Sequence, residues 1–179
     1  MQTTPGTSLS SDSPPEHDTA PQRSRFSVWV AVATIVYVLD QGSKWWVEQS
    51  LSGGPPREVL GELLQLRLTY NPGAAFSLGT GYTVVLTVIA LVVIGVCLTL
   101  ARRLGSTGWA VALGLLLGGA LGNVTDRIFR SPAPFRGHVV DFIELPHWPV
   151  FNIADSAISV AAALFVALSL RGVHLDGRP

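Results

Sequence analysis

GWAVALGLLLGGALGNVTDR, residues 108–127, carries two signals in one segment. From Gly108 to Leu121 every residue is apolar or glycine, and then Asn123, Asp126 and Arg127 follow in quick succession. An apolar run approaching about 20 residues is what a helix needs to cross a bilayer. Gly114, Gly118 and Gly122 recur every four residues with Gly119 beside them, and small residues at that spacing let helix backbones approach closely in lipid. Ionisable residues at the end of such a span are costly and point to a functional site. The segment therefore predicts a packed transmembrane helix with chemistry at one end.

Working outward, three more apolar blocks have the same character, and the spans fall at about residues 26–47, 82–101, 108–126 and 150–170. The fold expected is a mainly α membrane protein of four transmembrane helices, with both termini on one side. The composition agrees: 48% of the 179 residues are hydrophobic and 13% charged, against roughly 25% charged in soluble domains. Residues 1–25, rich in Ser, Pro and Thr, are expected to be a disordered tail without the apolar core of a secretory leader. Residues 172–179 form a second short tail. Formal net charge is zero, so no basic surface argues for nucleic acid. The single cysteine, Cys97, excludes an internal disulfide and a cysteine-based zinc site and reads as a buried small hydrophobe. Lys and Arg divide evenly: Arg23, Arg25, Arg102, Arg103, Arg171 and Arg178 against Lys44, Arg57, Arg67, Arg127, Arg130 and Arg136. The raw count leaves orientation open. With Lys44 and Arg127 set aside as functional, the termini come out cytoplasmic.

Two long connections lie on the other side, residues 51–81 and 128–149. Leu64, Leu66, Leu68 and Tyr70 alternate with Gln65, Arg67 and Thr69, the period of a strand with one apolar face. That face needs a partner or a lipid surface. Asn71-Pro72-Gly73 follows as a turn, and then the small apolar run Ala74-Ala75-Phe76-Ser77-Leu78. In the second connection, residues 137–143 are short and extended in character. Both loops converge on one membrane face.

Polar pairs at helical spacing point at the same face. Asp40 and Lys44 are four apart and can pair on one side of span one, with Lys44 expected to reach for the interface. Asn123 and Asp126 are three apart, and Asn152 and Asp155 repeat that spacing just after Pro149. Asp155 then falls in a first helical turn, where the helix dipole favours a carboxylate. The loop carrying Asp141 is short enough to bring it beside Asp155. Two carboxylates held together share a proton near neutral pH, so one can activate water while the other polarises a carbonyl.

Three other readings fit some of these residues. Ser43 and Lys44 suggest a serine–lysine hydrolase, but they, like Ser156 and Asp155, are sequence neighbours and do not face one another on a helix. His138, Asp141 and His147 are a conceivable metal set with generic spacing. Asp40, Asn123, Asp126 and Asp155 are a conceivable transport path, which leaves the outer loops without a role. His17 and His174 lie in the tails.

Taken in order, Asp40-Gln41-Gly42-Ser43-Lys44, Asn71-Pro72-Gly73-Ala74-Ala75-Phe76-Ser77, Gly122-Asn123-Val124-Thr125-Asp126-Arg127, Val140-Asp141-Phe142 and Phe151-Asn152-Ile153-Ala154-Asp155-Ser156 resemble the signature blocks of the lipoprotein signal peptidases, or signal peptidase II. The resemblance covers about residues 26–170. It implies an aspartic endopeptidase of the bacterial inner membrane that removes signal peptides from prolipoproteins, cutting before a diacylglyceryl-modified cysteine. It implies Asp141 and Asp155 as the catalytic pair. Asn71, Gly73, Asn123, Arg127 and Asn152 would orient substrate and pair, while Asp40, Lys44, Asp126 and Ala154 would support the framework. It further implies a small sheet in the first outer loop that cradles substrate at the lipid surface, cytoplasmic termini, and inhibition by globomycin-type antibiotics. No cofactor, metal or obligate protein partner is expected, and the glycines of span three would leave room for the signal-peptide helix. Ser131-Pro132-Ala133-Pro134 departs from the family's tighter loop and puts that loop's shape in doubt.

Overall fold

A helix of apolar residues in lipid satisfies its own backbone hydrogen bonds, and the four apolar blocks do so. In the computed structural model, which describes residues 20–73 and 83–177 with side chains from Arg25 onward, they form α1 (Ala20–Leu51), α2 (Thr83–Ala101), α3 (Thr107–Phe129) and α4 (Ile153–Leu170). All four are long and apolar enough to cross a membrane. Residues 1–19 and 74–82, and so most of the expected tail, Tyr82 and the run from Ala74 to Leu78, lie outside the described residues, as does Arg178.

The first helix differs from the expected span at both ends. Ala20 to Arg25, expected in the tail, are helical, and α1 continues to Leu51 over 32 residues. At about 1.5 Å per residue that is a rod of roughly 48 Å, longer than the hydrocarbon layer of about 30 Å. Its last turns, with Val47, Glu48 and Leu51, meet the two long connections.

Glycine decides the packing order. A Cβ at Gly114 would lie 2.9 Å from the Trp29 carbonyl oxygen, and one at Gly118 2.6 Å from that of Ala33. One at Gly119 would lie 2.6 Å from the Ala154 carbonyl oxygen. The glycine stripe of α3 is therefore filled by α1 on one side and α4 on the other. This corrects the expectation that it leaves room for a signal-peptide helix: the helices of the fold already occupy it. The central place of α3 shows in its burial, 56% of its most apolar window against 17% for α2 and for α4.

The sheet contains β1 (Arg57–Glu58), β2 (Gln65–Asn71) and β3 (Val139–Glu144) in the order β1-β2-β3, antiparallel throughout. The first outer connection supplies β1 and β2, and the second supplies β3. The partner for the apolar face of β2 is thus β3 together with the outer end of α1. Leu66 and Leu68 pack with Ile143 and Ile153 on a core of Val47, Leu51 and Phe142. A register shift lies between Leu66 and Thr69, after which Thr69 stands opposite Asp141, Tyr70 opposite Val140 and Asn71 opposite Val139.

The loop around Ser131-Pro132-Ala133-Pro134 folds back on itself. The Gly137 N–H donates to the Arg127 carbonyl (2.9 Å) and the His138 N–H to that of Ser131 (3.0 Å). A Cβ at Gly137 would collide with the Asp126 and Arg130 carbonyls, so only glycine lets the chain leave α3 and re-enter at β3 this tightly.

Candidate active site

Asn152 starts α4. Its extended backbone (φ −132°, ψ −176°) leaves the side chain free to cap the helix. Its Oδ1 accepts the Asp155 N–H (2.9 Å), and the Asp155 carboxylate accepts the Asn152 N–H (3.3 Å). This reciprocal capping box uses an aspartate at the third helical position and fixes that carboxylate at the mouth of α4. The second amide end of Asn152 donates to Asp141 Oδ1 at 2.7 Å. One side chain thus bridges the two aspartates.

Asp141 sits in β3, 2% exposed. Its other oxygen accepts from Asn71 Nδ2 (2.8 Å). Asn71 Oδ1 in turn accepts the Gly73 N–H (2.9 Å), so the backbone turn decides which end of the amide faces Asp141. Asn123 completes the ring from α3, donating to Asp155 Oδ1 (2.8 Å) while accepting from Lys44 Nζ (3.1 Å) and Asn152 Nδ2 (3.2 Å). Burial, and then the neighbouring Asp155 charge, push the Asp141 carboxyl up to about 7 against the pull of the Asn71 and Asn152 donors and of Lys44.

Beneath the pair lies a fully buried ion cluster. Lys44 Nζ reaches Asp40 (2.7 Å) and Asp126 (2.8 Å), all three side chains being 0% exposed. The pairing of Asp40 with Lys44 is as expected; the expectation that Lys44 reaches for the interface is corrected. A lysine surrounded by two carboxylates and an amide oxygen has its charge compensated inside the protein and gains nothing by extending to water. Each acid also holds backbone: Asp40 Oδ1 accepts the Ala154 N–H (2.9 Å) and Asp126 Oδ2 the Val140 N–H (3.3 Å). Ala154, 0% exposed, packs between α1 and α3.

Asn71, Gly73, Asn123, Arg127, Asp141 and Asp155 line one cavity of about 280 Å³, walled further by Trp148 to Phe151 and Leu86. Arg127 Nη2 approaches the Gly73 carbonyl at 3.5 Å. Among the described residues, Arg127 Nη1 is buried with no hydrogen-bond partner, a cation held ready at the cavity wall. Both long connections and three helices, α2, α3 and α4, contribute, so the cavity forms only when the chain is folded.

The other candidates are elsewhere. Ser43 Oγ donates to the Asp40 carbonyl (2.9 Å) and Ser156 Oγ to that of Asn152 (2.9 Å), so each is engaged with its own helix. His138 and His147 line two further cavities, neither shared with Asp141. Cys97 is buried in the apolar core between α2 and α3. Two residues at the back of the site went unread in the sequence: Glu48, four after Lys44, and Arg130, four after Asp126. Arg130 pairs with Asp126 (2.7 Å) and with Glu48. The helical spacing that identified their neighbours was the available signal.

Known proteins resemble this chain over most of its length. The model of the family described as signal peptidase (SPase) II matches residues 32–171. A lipoprotein signal peptidase of Streptomyces coelicolor is 52% identical over 162 residues, spanning 88% of this chain and 79% of that protein. One from Leifsonia xyli subsp. xyli is 45% identical over 183 residues, spanning 99% and 85%. Among solved structures, a bacterial membrane enzyme determined in meso superposes with a TM-score of 0.73 at 27% identity, covering 81% of this chain and 88% of that one. With the family model spanning the site and both outer loops, and relatives matching over most of their length, this multi-pass membrane chain belongs to the signal peptidase II family of bacterial peptidases.

Proposed function

We propose that the chain is an aspartic endopeptidase that removes signal peptides from diacylglyceryl-modified prolipoproteins, cutting before the lipidated cysteine. The observation that carries this reading is that Asn152, donating to the Asp141 carboxylate and accepting the Asp155 backbone N–H, holds both aspartates at the wall of a single cavity. The two carboxyl groups line that one cavity, and burial together with the Asp155 charge pushes the Asp141 carboxyl up to about 7, so the pair is suited to hold one proton and to activate water without a covalent intermediate. Asp141, the carboxyl pushed up to about 7, holds the shared proton and gives it to the scissile carbonyl oxygen. Asp155 takes a proton from the attacking water, whose oxygen bonds to the carbonyl carbon. The tetrahedral diol then collapses. The C–N bond breaks, Asp155 passes its proton to the leaving nitrogen, and Asp141 recovers a proton from the diol.

Asn71, Asn123 and Asn152 hold the pair, Gly73 sets Asn71, and Arg127 Nη1 donates to a substrate carbonyl. Asp40, Lys44, Asp126 and Ala154 keep α1, α3 and α4 in register. Residues 26–171 are the peptidase unit, with residues 1–25 and 172–179 as cytoplasmic tails. The cavity then opens at the extracytoplasmic interface, where a lipidated substrate is cut while its acyl chains stay in the bilayer. Globomycin-type inhibitors would occupy the same cavity.

The test is cleavage of a purified diacylglyceryl-modified prolipoprotein in detergent by the wild type, Asp141→Asn and Asp155→Asn. Cleavage before the lipidated cysteine by the wild type alone is expected. Substantial cleavage by either variant overturns the pair, and an inert wild type of normal fold overturns the peptidase.

A further inference from the structure

The rung of sheet that presents Asp141 to the cavity has a second face. Asn71 and Val139 are cross-strand partners, as are Thr69 and Asp141, and Asn71, Val139 and Asp141 line the catalytic cavity. Tyr70 and Val140, the pair between them, therefore point the other way, and Tyr70 lines a separate cavity of about 540 Å³ with Glu48, Arg130 and His138. Both strands of this rung are tethered from behind. The Val140 N–H donates to Asp126 Oδ2 (3.3 Å), and Asp126 Oδ1 accepts from Arg130 Nε (2.7 Å). Arg130 Nη1 donates to Glu48 Oε1, which also accepts from the Tyr70 hydroxyl (3.2 Å). The path Val140–Asp126–Arg130–Glu48–Tyr70 closes on the rung from which it starts. Asp141 and Asn71 are the next residues along the two strands.

On the peptidase reading, we propose that Glu48 and Arg130 are positioning residues: a clamp behind the sheet that holds the Tyr70–Val140 rung, and through it Asp141 and Asn71, at the geometry the reaction needs. The charges alternate in sign, Asp40, Lys44 and Glu48 along α1 against Asp126 on α3 and Arg130 at its C-cap, each cation lying between two acids. Partial burial works against the charge on Arg130, but Glu48 and Asp126 outweigh it and hold it protonated. The Glu48 and Arg130 side chains are 21% and 23% exposed, so the pair is shielded enough to act as a fixed link. Displacing a reacting group by about 1 Å costs on the order of 100-fold in rate, so slack in the clamp is read in kcat.

The experiment measures kcat and KM on the lipidated prolipoprotein, per folded molecule, together with thermal unfolding in detergent. Glu48→Ala is expected to lower kcat about tenfold or more with KM within twofold. Glu48→Gln, which keeps an oxygen for Arg130 and Tyr70, is expected to recover most of the loss. Tyr70→Phe is expected to lower kcat severalfold in the wild type and to do nothing further in Glu48→Ala, the coupling of a shared tether. The proposal is overturned if kcat per folded molecule is unchanged in Glu48→Ala while only the unfolding temperature falls. It is equally overturned if Glu48→Gln is as impaired as Glu48→Ala, or if KM alone rises. A wild type that does not cleave overturns the peptidase reading and the clamp with it, whereas a cleaving wild type with an unimpaired Glu48→Ala overturns the clamp alone.

Discussion

Replacing Asn71 with leucine, similar in size and without hydrogen-bonding atoms, separates the acid role of Asp141 from its mere presence. Asn71 donates to Asp141 Oδ2 at 2.8 Å, an interaction that favours the ionised carboxylate. A hydrogen bond to a charged group contributes about 1.5–3 kcal/mol, and about 1.4 kcal/mol corresponds to one pH unit in an ionisation equilibrium. The sign follows from which form loses its partner. Without the donor the carboxylate is destabilised, so Asp141, already pushed up to about 7 by burial and Asp155, is pushed higher by roughly one to two units. If Asp141 must be protonated to act, activity falls as pH rises through this value, and the variant keeps its acid to higher pH. The assay is kcat/KM for the lipidated substrate from about pH 5 to 9.5, which reports the free enzyme. The alkaline limb is expected to move up by about one unit or more, whatever the drop in peak rate from lost contacts. The macroscopic values belong to the coupled pair, so the test lies in the direction of movement. An alkaline limb that stays in place or moves down refutes Asp141 as the proton holder.

Gly118→Ala should destabilise the protein by about 1–3 kcal/mol, since the new Cβ would lie 2.6 Å from the Ala33 carbonyl oxygen and 2.7 Å from Val36 Cβ. Gly42→Ala, with nothing within 4 Å, should be stable, and thermal unfolding in detergent distinguishes the two. Lys44→Met leaves Asp40 and Asp126 buried without their shared cation, at a cost of about 3–5 kcal/mol. The same unfolding assay should show a large loss, and a melting temperature near the wild type's would show that the cluster reorganises. Ser43→Ala and Cys97→Ala should cleave at nearly the wild-type rate in the prolipoprotein assay, and an inactive Ser43→Ala enzyme of normal fold would revive the serine–lysine reading.

What local spacing controls, the sequence by itself determined. Apolar length set the four helices, because backbone in lipid must bond to itself. Positions three or four apart placed Asp40 with Lys44 and Asn152 with Asp155, because such residues share a helix face or a cap wherever the helix sits. The same rule would have reached Glu48 and Arg130. Alternation marked β2, because successive side chains point to opposite faces of a strand. Only the tertiary structure decided what each element meets. The glycines of α3 announced a close neighbour, but its identity, α1 and α4, depends on packing among helices distant in the chain. Lys44 could have extended to water, and Asp126 from another helix makes it stay. Asp141 meets Asn71 because β2 and β3 pair in a register that places Thr69 opposite Asp141 after an irregularity beyond Leu66. A one-residue slip would turn the carboxylate to the other face. Register between strands from two separate loops is settled by the core beneath them, Val47, Leu51 and Phe142, and by the Asp126 and Asn152 hydrogen bonds to β3. No spacing within either loop encodes that pairing.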